Sequence, residues 1–409
     1  MEGKIMVQNK PELVSPAGNW SSLYSAVEAG ADSIYFGVKG MNMRQAADNF
    51  DIQEMKKIMR FLHKKGKRGY LALNIIIYNN ELGKVKRILK AAANSKVDSV
   101  ILWDMAVLSA AKENGLKVHL STQASVSNFA ALKFYHSLGV RRIVLARECT
   151  LLDIKDIMQK IKKEKINCEI EAFIHGAICV SVSGRCFLSQ SSFAKSANRG
   201  ECLQPCRRKF VITSAEDGSS YVLGKDYVLS TRDLCTMGFI DSLIESGIKA
   251  FKIEGRMRSP EYVSGVTACY RTAIDAFTQK RLTKKLKKDL IKKLTKNYNR
   301  GFSEGFYFGQ PDDLGGHHKR TYEKIYLGDV RKFYRKLGVA EILIRNKDLR
   351  PNTKILITGK TTPASFAKVS EMEIDHKPVY FADKGKAVGV KLPFIVRPND
   401  KVFIWRERC

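Results

Sequence analysis

Residues 51–74 read DIQEMKKIMRFLHKKGKRGYLALN. Ile52, Met55, Ile58, Met59 and Leu62 recur at helical spacing, so one apolar stripe runs along a helix over Asp51–Lys65. The pattern then changes to the short apolar run GYLALN, which predicts a strand over Gly69–Asn74. The same alternation extends through the first 255 residues. Further strands are expected at Glu12–Ser15, Ser33–Gly37, Ser99–Trp103, Lys117–Thr122, Arg142–Leu145, Cys168–Phe173 and Ala250–Glu254. A helix-like segment follows every strand closely except the seventh. Leu151–Ile161 repeats the helical period through Leu152, Ile154, Ile157, Met158 and Ile161. Eight such units predict a (β/α)8 TIM-like barrel. An open, doubly wound sheet is the alternative, but no glycine-rich dinucleotide fingerprint follows the first strand.

The segment between strands seven and eight, 174–249, is too long for a simple connection. It holds Cys179, Cys186, Cys202, Cys206 and Cys235, spaced C-x6-C, C-x15-C and C-x3-C, with the fifth after a further 28 residues. No apolar signal core opens the chain (MEGKIMVQNKPEL), so cytoplasmic residence is expected and these thiols read as a metal or cluster site rather than as disulfides. The paired C-x2-C knuckles of zinc ribbons are absent, and the loose spacing suits an iron–sulfur cluster at least as well as zinc. Cys149, Cys168 and Cys269 sit in apolar or helical contexts and read as small buried hydrophobes. An insertion after strand seven opens at the C-terminal face of a barrel, so the cysteines should cap the mouth.

Of 409 residues, 71 are Lys or Arg and 41 Asp or Glu, a net charge of +30 that favours polyanionic partners, RNA first among them. No apolar run is long enough to cross a membrane. Residues 280–300, KRLTKKLKKDLIKKLTKNYNR, place Leu282, Leu286, Leu290 and Leu294 on one stripe with lysines around it. This is either a solvated helix packed by its leucines or a contact to an RNA backbone, through Lys284 and Lys288 in particular. From Lys324 onward, short strands with turn signals predict a small antiparallel β-barrel. The expected organisation is therefore a barrel over 8–275, a basic helix and linker over 276–323, and a small β-barrel over 324–409.

Polar residues at strand C-termini should face the pocket. They are Tyr35, Asn74, Ser121, Gln123, Arg147, Glu148, Glu171, His175, Glu254 and Arg256. Arg147 and Arg256 suit a small dicarboxylate or an RNA phosphate, unless each simply pairs with a neighbouring glutamate. His175 is a candidate acid/base or a donor to the cysteine site. No HExxH, GxSxG or evident Cys–His nucleophile is present, so nothing in the residues themselves supports peptide hydrolysis.

Glu171-x-Phe173-x2-Gly176-Ala177-x-Cys179-x4-Gly184-x-Cys186-x-Leu188-Ser189 resembles the signature of the collagenase-like peptidase family, peptidase family U32. ELVSPAG at 12–18, DSIYFG at 32–37, STQASVSN at 121–128, GECLQPCRR at 200–208 and KIEGRMRS at 252–259 extend the likeness over nearly the whole chain. The resemblance implies one of several activities. Some members are RNA hydroxylation proteins, making 5-hydroxyuridine at the tRNA wobble position or 5-hydroxycytidine in large-subunit ribosomal RNA, with dependence on prephenate. Others act in oxygen-independent ubiquinone hydroxylation, which the basic surface argues against here. Cluster-bearing members hold 4Fe–4S on four cysteines. The resemblance therefore implies Cys179, Cys186, Cys202 and Cys206 as ligands, with Cys235 as the alternative fourth. Their strand-end positions make Glu171, His175, Arg147, Arg256 and Glu254 the candidate catalytic residues, and Asn74, Ser121 and Gln123 the candidate substrate contacts. The competing activity is collagenase-type proteolysis.

Overall fold

The computed structural model describes residues 10–208, 232–309 and 322–407, with short pieces between 209 and 231. Eight parallel strands form its centre: β1 (Glu12–Ala17), β2 (Ser33–Gly37), β3 (Arg68–Ala72), β4 (Ser99–Leu102), β5 (Val118–Leu120), β6 (Arg142–Val144), β7 (Glu169–Ala177) and β8 (Ala250–Ile253). Each pairs with the next, and β8 pairs with both β7 and β1. That last ladder closes the barrel and excludes the open-sheet alternative. Both faces of the strands are covered, which is why all six residues of β1 and all five of β2 are buried.

Helices wrap the outside. In Met55–Lys64 the residues Met55, Ile58, Met59 and Leu62 are buried while the intervening lysines face solvent. Strand-to-helix turns end in caps that the local sequence supplies. Asp104 accepts from the Ala106 and Val107 amides, Asn128 from Ala131, and Thr150 forms a capping box with Asp153. Cys149, Cys168 and Cys269 are buried, as their contexts predict.

Strand β7 runs four residues past the expected end because the insertion returns to pair with it. Asp233–Cys235 lies antiparallel to His175–Ala177, and Phe302–Ser303 extends this outer ribbon. The lysine-rich segment forms the helix Lys284–Thr295, capped by Thr283. Leu290 and Leu294 are fully buried and Leu282 and Leu286 partly so, against Pro260–Thr278, and Lys287 pairs with Asp241 at 2.8 Å.

The C-terminal unit is an antiparallel sheet of eight strands, from Tyr322–Tyr334 to Lys401–Glu407, around a core that includes Leu327, Ile342, Ile355 and Val388. Among the described residues no ladder joins its edge strands, Ser365–Lys368 and Lys377–Pro378. It curls over its core instead, and the mutual amide-to-carbonyl hydrogen bonds of Leu349 and Ala382, 3.0 Å each, tie the stretch before Lys354–Thr358 to the stretch after Lys377–Pro378. It leans on the large barrel through Ser21 and Thr358, whose hydroxyls lie 2.8 Å apart, and through Lys324–Glu261 at 2.8 Å. The expected start of the barrel at residue 8, residues 310–321 of the expected linker and the last two residues lie outside the described residues. Among the described residues no helix is long and apolar enough to cross a membrane.

Candidate active site

The C-terminal ends of the strands open into a cleft of about 580 Å³. Strand ends supply its walls: Tyr35 from β2, Asn74 after β3, Ser121 and Gln123 after β5, Arg147 and Glu148 after β6, and Glu254 and Arg256 after β8. The insertion roofs it and is pinned across the mouth at several points. The Gln45 amide donates to the Gly200 carbonyl at 2.9 Å, and Arg199 pairs with Glu81 at 2.5 Å. The hydroxyls of Ser125 and Ser183 lie 2.8 Å apart, and the Ser183 amide donates to Glu148 at 3.3 Å. Gly200 has φ +85°, and a Cβ there would run into the Asn42 carbonyl, so only glycine lets the roof approach the loop after β2 this closely.

Cys179, Cys186, Cys202 and Cys206 all line this cleft, each partly buried and free of disulfides. The Leu188 amide donates to Cys186 Sγ at 3.3 Å and the Gln204 amide to Cys202 Sγ at 3.4 Å. Cys179 Sγ lies 3.1 Å from Ser181 Oγ. Burial raises the Cys206 pKa, Arg207 opposes that, and the charges of Cys179, Cys202 and Cys186 raise it further, so the four sulfurs are electrostatic neighbours. Among the described residues no three His, Cys, Asp or Glu side chains converge as ligands of a single ion.

Beside the cysteines, three arginines surround one carboxylate. Arg44 Nε lies 3.2 Å from Glu254 Oε1 and Arg147 Nη2 lies 3.7 Å from Oε2. Arg256 donates to Asn42 Oδ1 at 2.8 Å. Aromatic faces hold the guanidinium groups in place: Arg147 lies 4.0 Å from the centroid of Phe173, and Arg256 lies 5.7 Å from Tyr35. Gly37 passes so close that a Cβ would sit 2.6 Å from Arg256 Nη1. Burial opposes ionisation of Glu254, but the three arginines outweigh it and hold the carboxyl below its usual value. Burial pushes Arg256 down to about 10, with the Arg44 charge adding to the effect. One carboxylate does not neutralise three guanidinium groups, so the mouth carries surplus positive charge.

The structure does not place every expected site residue here. Glu171 points into the barrel but lies deep below the mouth, fully buried, 2.6 Å from Lys252 Nζ and 3.5 Å from Arg142. His175 faces outward. Phe173 pairs with Lys252 and His175 with Ile253, so Ile174 is a bulge that reverses the side-chain alternation. His175 is packed among Tyr262, Tyr270 and Phe302, and burial together with the Arg258 charge lowers its pKa to about 3. Cys235 follows the same outer ribbon. It is buried, accepts from Tyr270 Oη at 3.8 Å, and burial pushes it up to about 11. Lys284 and Lys288 are exposed on the helical wall and do not line the cleft. Conversely, sequence reasoning missed Arg44, Lys252, Arg258, Tyr298 and Arg300, all of which do.

A closed (β/α)8 barrel whose mouth carries cysteines and uncompensated arginines defines the class. The chain belongs to peptidase family U32, whose family model matches residues 18–316. It is similar to an uncharacterized protease of Methanocaldococcus jannaschii, 42% identical over 97% of this chain and 98% of that protein. It is also similar to a collagenase of Porphyromonas gingivalis, 37% identical over 98% of this chain and 99% of that protein. A tRNA hydroxylation protein of Bacillus subtilis is 38% identical over 68% of this chain and 66% of that protein.

Proposed function

We propose that the protein is an iron–sulfur RNA-modification enzyme that installs a 5-hydroxyl group on a pyrimidine, the wobble uridine of tRNA first of all, without molecular oxygen. One observation carries this reading: a single cleft joins four free cysteines to a surplus of arginine, while among the described residues no histidine lines it to activate a nucleophile. The likeness to a tRNA hydroxylation protein and the net charge of +30 support an RNA substrate.

Cys179, Cys186, Cys202 and Cys206 are the residues that would hold a 4Fe–4S cluster. Thiolates supplied by one insertion to one cleft suit a cubane, which takes four cysteines from any loop geometry, as well as they suit zinc. Such a cluster, when bound, supplies one-electron chemistry next to the substrate. Arg44, Arg147 and Arg256 bind a small dicarboxylate, prephenate being the candidate co-substrate, and Glu254 keeps them oriented. Asn74, Ser121 and Gln123 form a polar edge, with the Asn74 amide 3.5 and 3.4 Å from the other two, which can hydrogen-bond a pyrimidine swung out of its stack.

Deleting the gene and analysing digested tRNA and ribosomal RNA nucleosides by mass spectrometry tests the reading. Loss of 5-hydroxyuridine from tRNA is the expected result. Unchanged hydroxypyrimidines in both RNA classes, with gelatin cleavage by purified protein that Cys179→Ser abolishes, would replace it with a collagenase-type peptidase.

A further inference from the structure

A second group of arginines lies at the rim of the cleft, apart from the three around Glu254. Arg207, Arg258 and Arg300 line the wall there, and Asp233 is the carboxylate among them. Arg258 Nη2 stands 3.8 Å from Asp233 Oδ2, and Arg300 Nη1 stands 3.7 Å from Oδ1. These are ion-pair distances beyond hydrogen-bonding range. Both Asp233 oxygens, Arg300 Nη1 and Arg207 Nη1 are buried without a hydrogen-bond partner among the described residues. Buried polar groups normally have partners, so orphans on both signs of charge mark a network that is incomplete as it stands. Tyr298 holds the geometry, with Arg258 at 4.1 Å and Arg300 at 5.4 Å from its ring centroid.

This rim continues into a smaller cavity of about 210 Å³ that shares Met257, Arg258 and Tyr298 with the main cleft. Its far wall belongs to the C-terminal sheet. Tyr322 and Trp405 stack there with centroids 5.9 Å apart, and Lys296 lies 5.1 Å from the Tyr322 ring. Glu261 closes the floor. One of its oxygens is paired with Lys324, and the other is buried with no partner among the described residues.

We propose that Arg207, Arg258 and Arg300 seat a phosphodiester of the RNA strand entering the cleft, and that the groove of Tyr298, Tyr322 and Trp405 takes the adjacent base. This rests on the RNA reading given above and adds the path by which the strand reaches the mouth. A phosphate offers acceptor oxygens to several guanidinium groups at once, through the parts of Arg207, Arg258 and Arg300 that line the cleft. The next base then meets aromatic faces, which stack on any base, and a carboxylate oxygen that accepts from an exocyclic amine. The lysine-rich helix gains a role through its C-terminal end, which delivers Lys296, Tyr298 and Arg300 to this rim.

The test is binding of unfractionated tRNA by the full chain across a salt series. Arg300→Gln should weaken binding about fivefold and lower the salt slope by about one unit, and Arg300→Lys should restore the slope. Trp405→Ala should weaken binding about tenfold with the slope unchanged. Asp233→Asn removes the competing carboxylate and should tighten binding several-fold, an outcome that a purely structural ion cluster does not produce. Should Arg300→Gln fail to fold, Asp233→Asn decides alone, and absence of tightening overturns the proposal. Wild-type binding with normal slopes in both Arg300→Gln and Asp233→Asn also overturns it while leaving the RNA reading intact. A wild-type protein that binds no tRNA overturns both.

Discussion

Two ion clusters occupy opposite ends of the same barrel, and only one of them balances. At the N-terminal end, Glu12, Glu169 and Glu171 meet Arg68, Arg142 and Lys252 through contacts of 2.6–3.5 Å. At the mouth, Arg44, Arg147 and Arg256 crowd around Glu254. The residue types are the same, and the difference lies in stoichiometry. A network with equal charges is already complete, with Glu12, Arg142, Glu171 and Lys252 buried and Arg68 and Glu169 half-exposed at its edge. A buried network with surplus cations is stable only if an anion arrives or if the barrel tolerates the cost, which is why the mouth reads as a binding site and the lower cluster does not. Lys252 joins the two, since its ammonium pairs with Glu171 below while its side chain lines the cleft above.

The largest expected effect tests the lower cluster. Glu171→Ala leaves Lys252 and Arg142 buried without their partner, and should cost about 3–5 kcal/mol of stability in denaturant unfolding. Wild-type stability in that variant would erase the distinction between the two ends. Next comes the mouth. Arg256→Ala should lower the proposed hydroxylation about 100-fold, the scale of losing one charge-stabilising contact, while tRNA binding changes less than twofold and the unfolding midpoint stays put. Equal losses of stability from Glu171→Ala and Arg256→Ala would mean that both clusters are structural.

A third effect sharpens the boundary between inside and outside. His175 is neutral in the fold because burial lowers its pKa to about 3, whereas the unfolded chain holds it near 6.5. Above pH 6.5 neither state binds this proton and stability is unaffected. As pH falls from 6.5 towards 3 the unfolded state alone gains it, so folding loses about 1.4 kcal/mol per pH unit from this residue. His175→Gln should flatten the stability profile by that amount between pH 6.5 and 5, with hydroxylation at neutral pH retained. A steep drop in activity at neutral pH, with folding intact, would restore His175 to the chemistry.

The barrel was legible because each of its strands is a short apolar run buried on both faces, and a helix stripe such as Met55–Leu62 can be read residue by residue. The four-cysteine group was legible for a different reason: its spacing lies in one insertion, whose place after β7 sets it over the mouth. What failed was direction. Period-two alternation aims Glu171, Phe173 and His175 at the same side, and a single bulged residue, Ile174, turns His175 outward. Depth along a strand is equally invisible, so Glu171 was read as a mouth residue although it lies several residues below it. Arg44 was missed because it stands in a loop well past the end of β2, where only the fold back over Glu254 brings it to the site. Tyr298 and Arg300 were hidden inside a run whose lysines drew attention to the wrong end of the helix.

The smallest expected effect concerns those lysines. Lys284, Lys285, Lys288 and Lys292 are exposed on the outer wall, while Leu290 and Leu294 hold the helix to the barrel. Changing all four to Gln leaves that apolar contact untouched, so the unfolding midpoint should not move. Charges on a wall beside the path act through the general field and through passing contacts rather than through a built seat. Binding of tRNA should therefore weaken less than tenfold, and the salt slope should fall by about one unit in total. Hydroxylation at saturating tRNA should match wild type. A loss of three or four slope units would instead make the wall a primary RNA contact, and would move the main phosphate seat from the rim arginines to the helix.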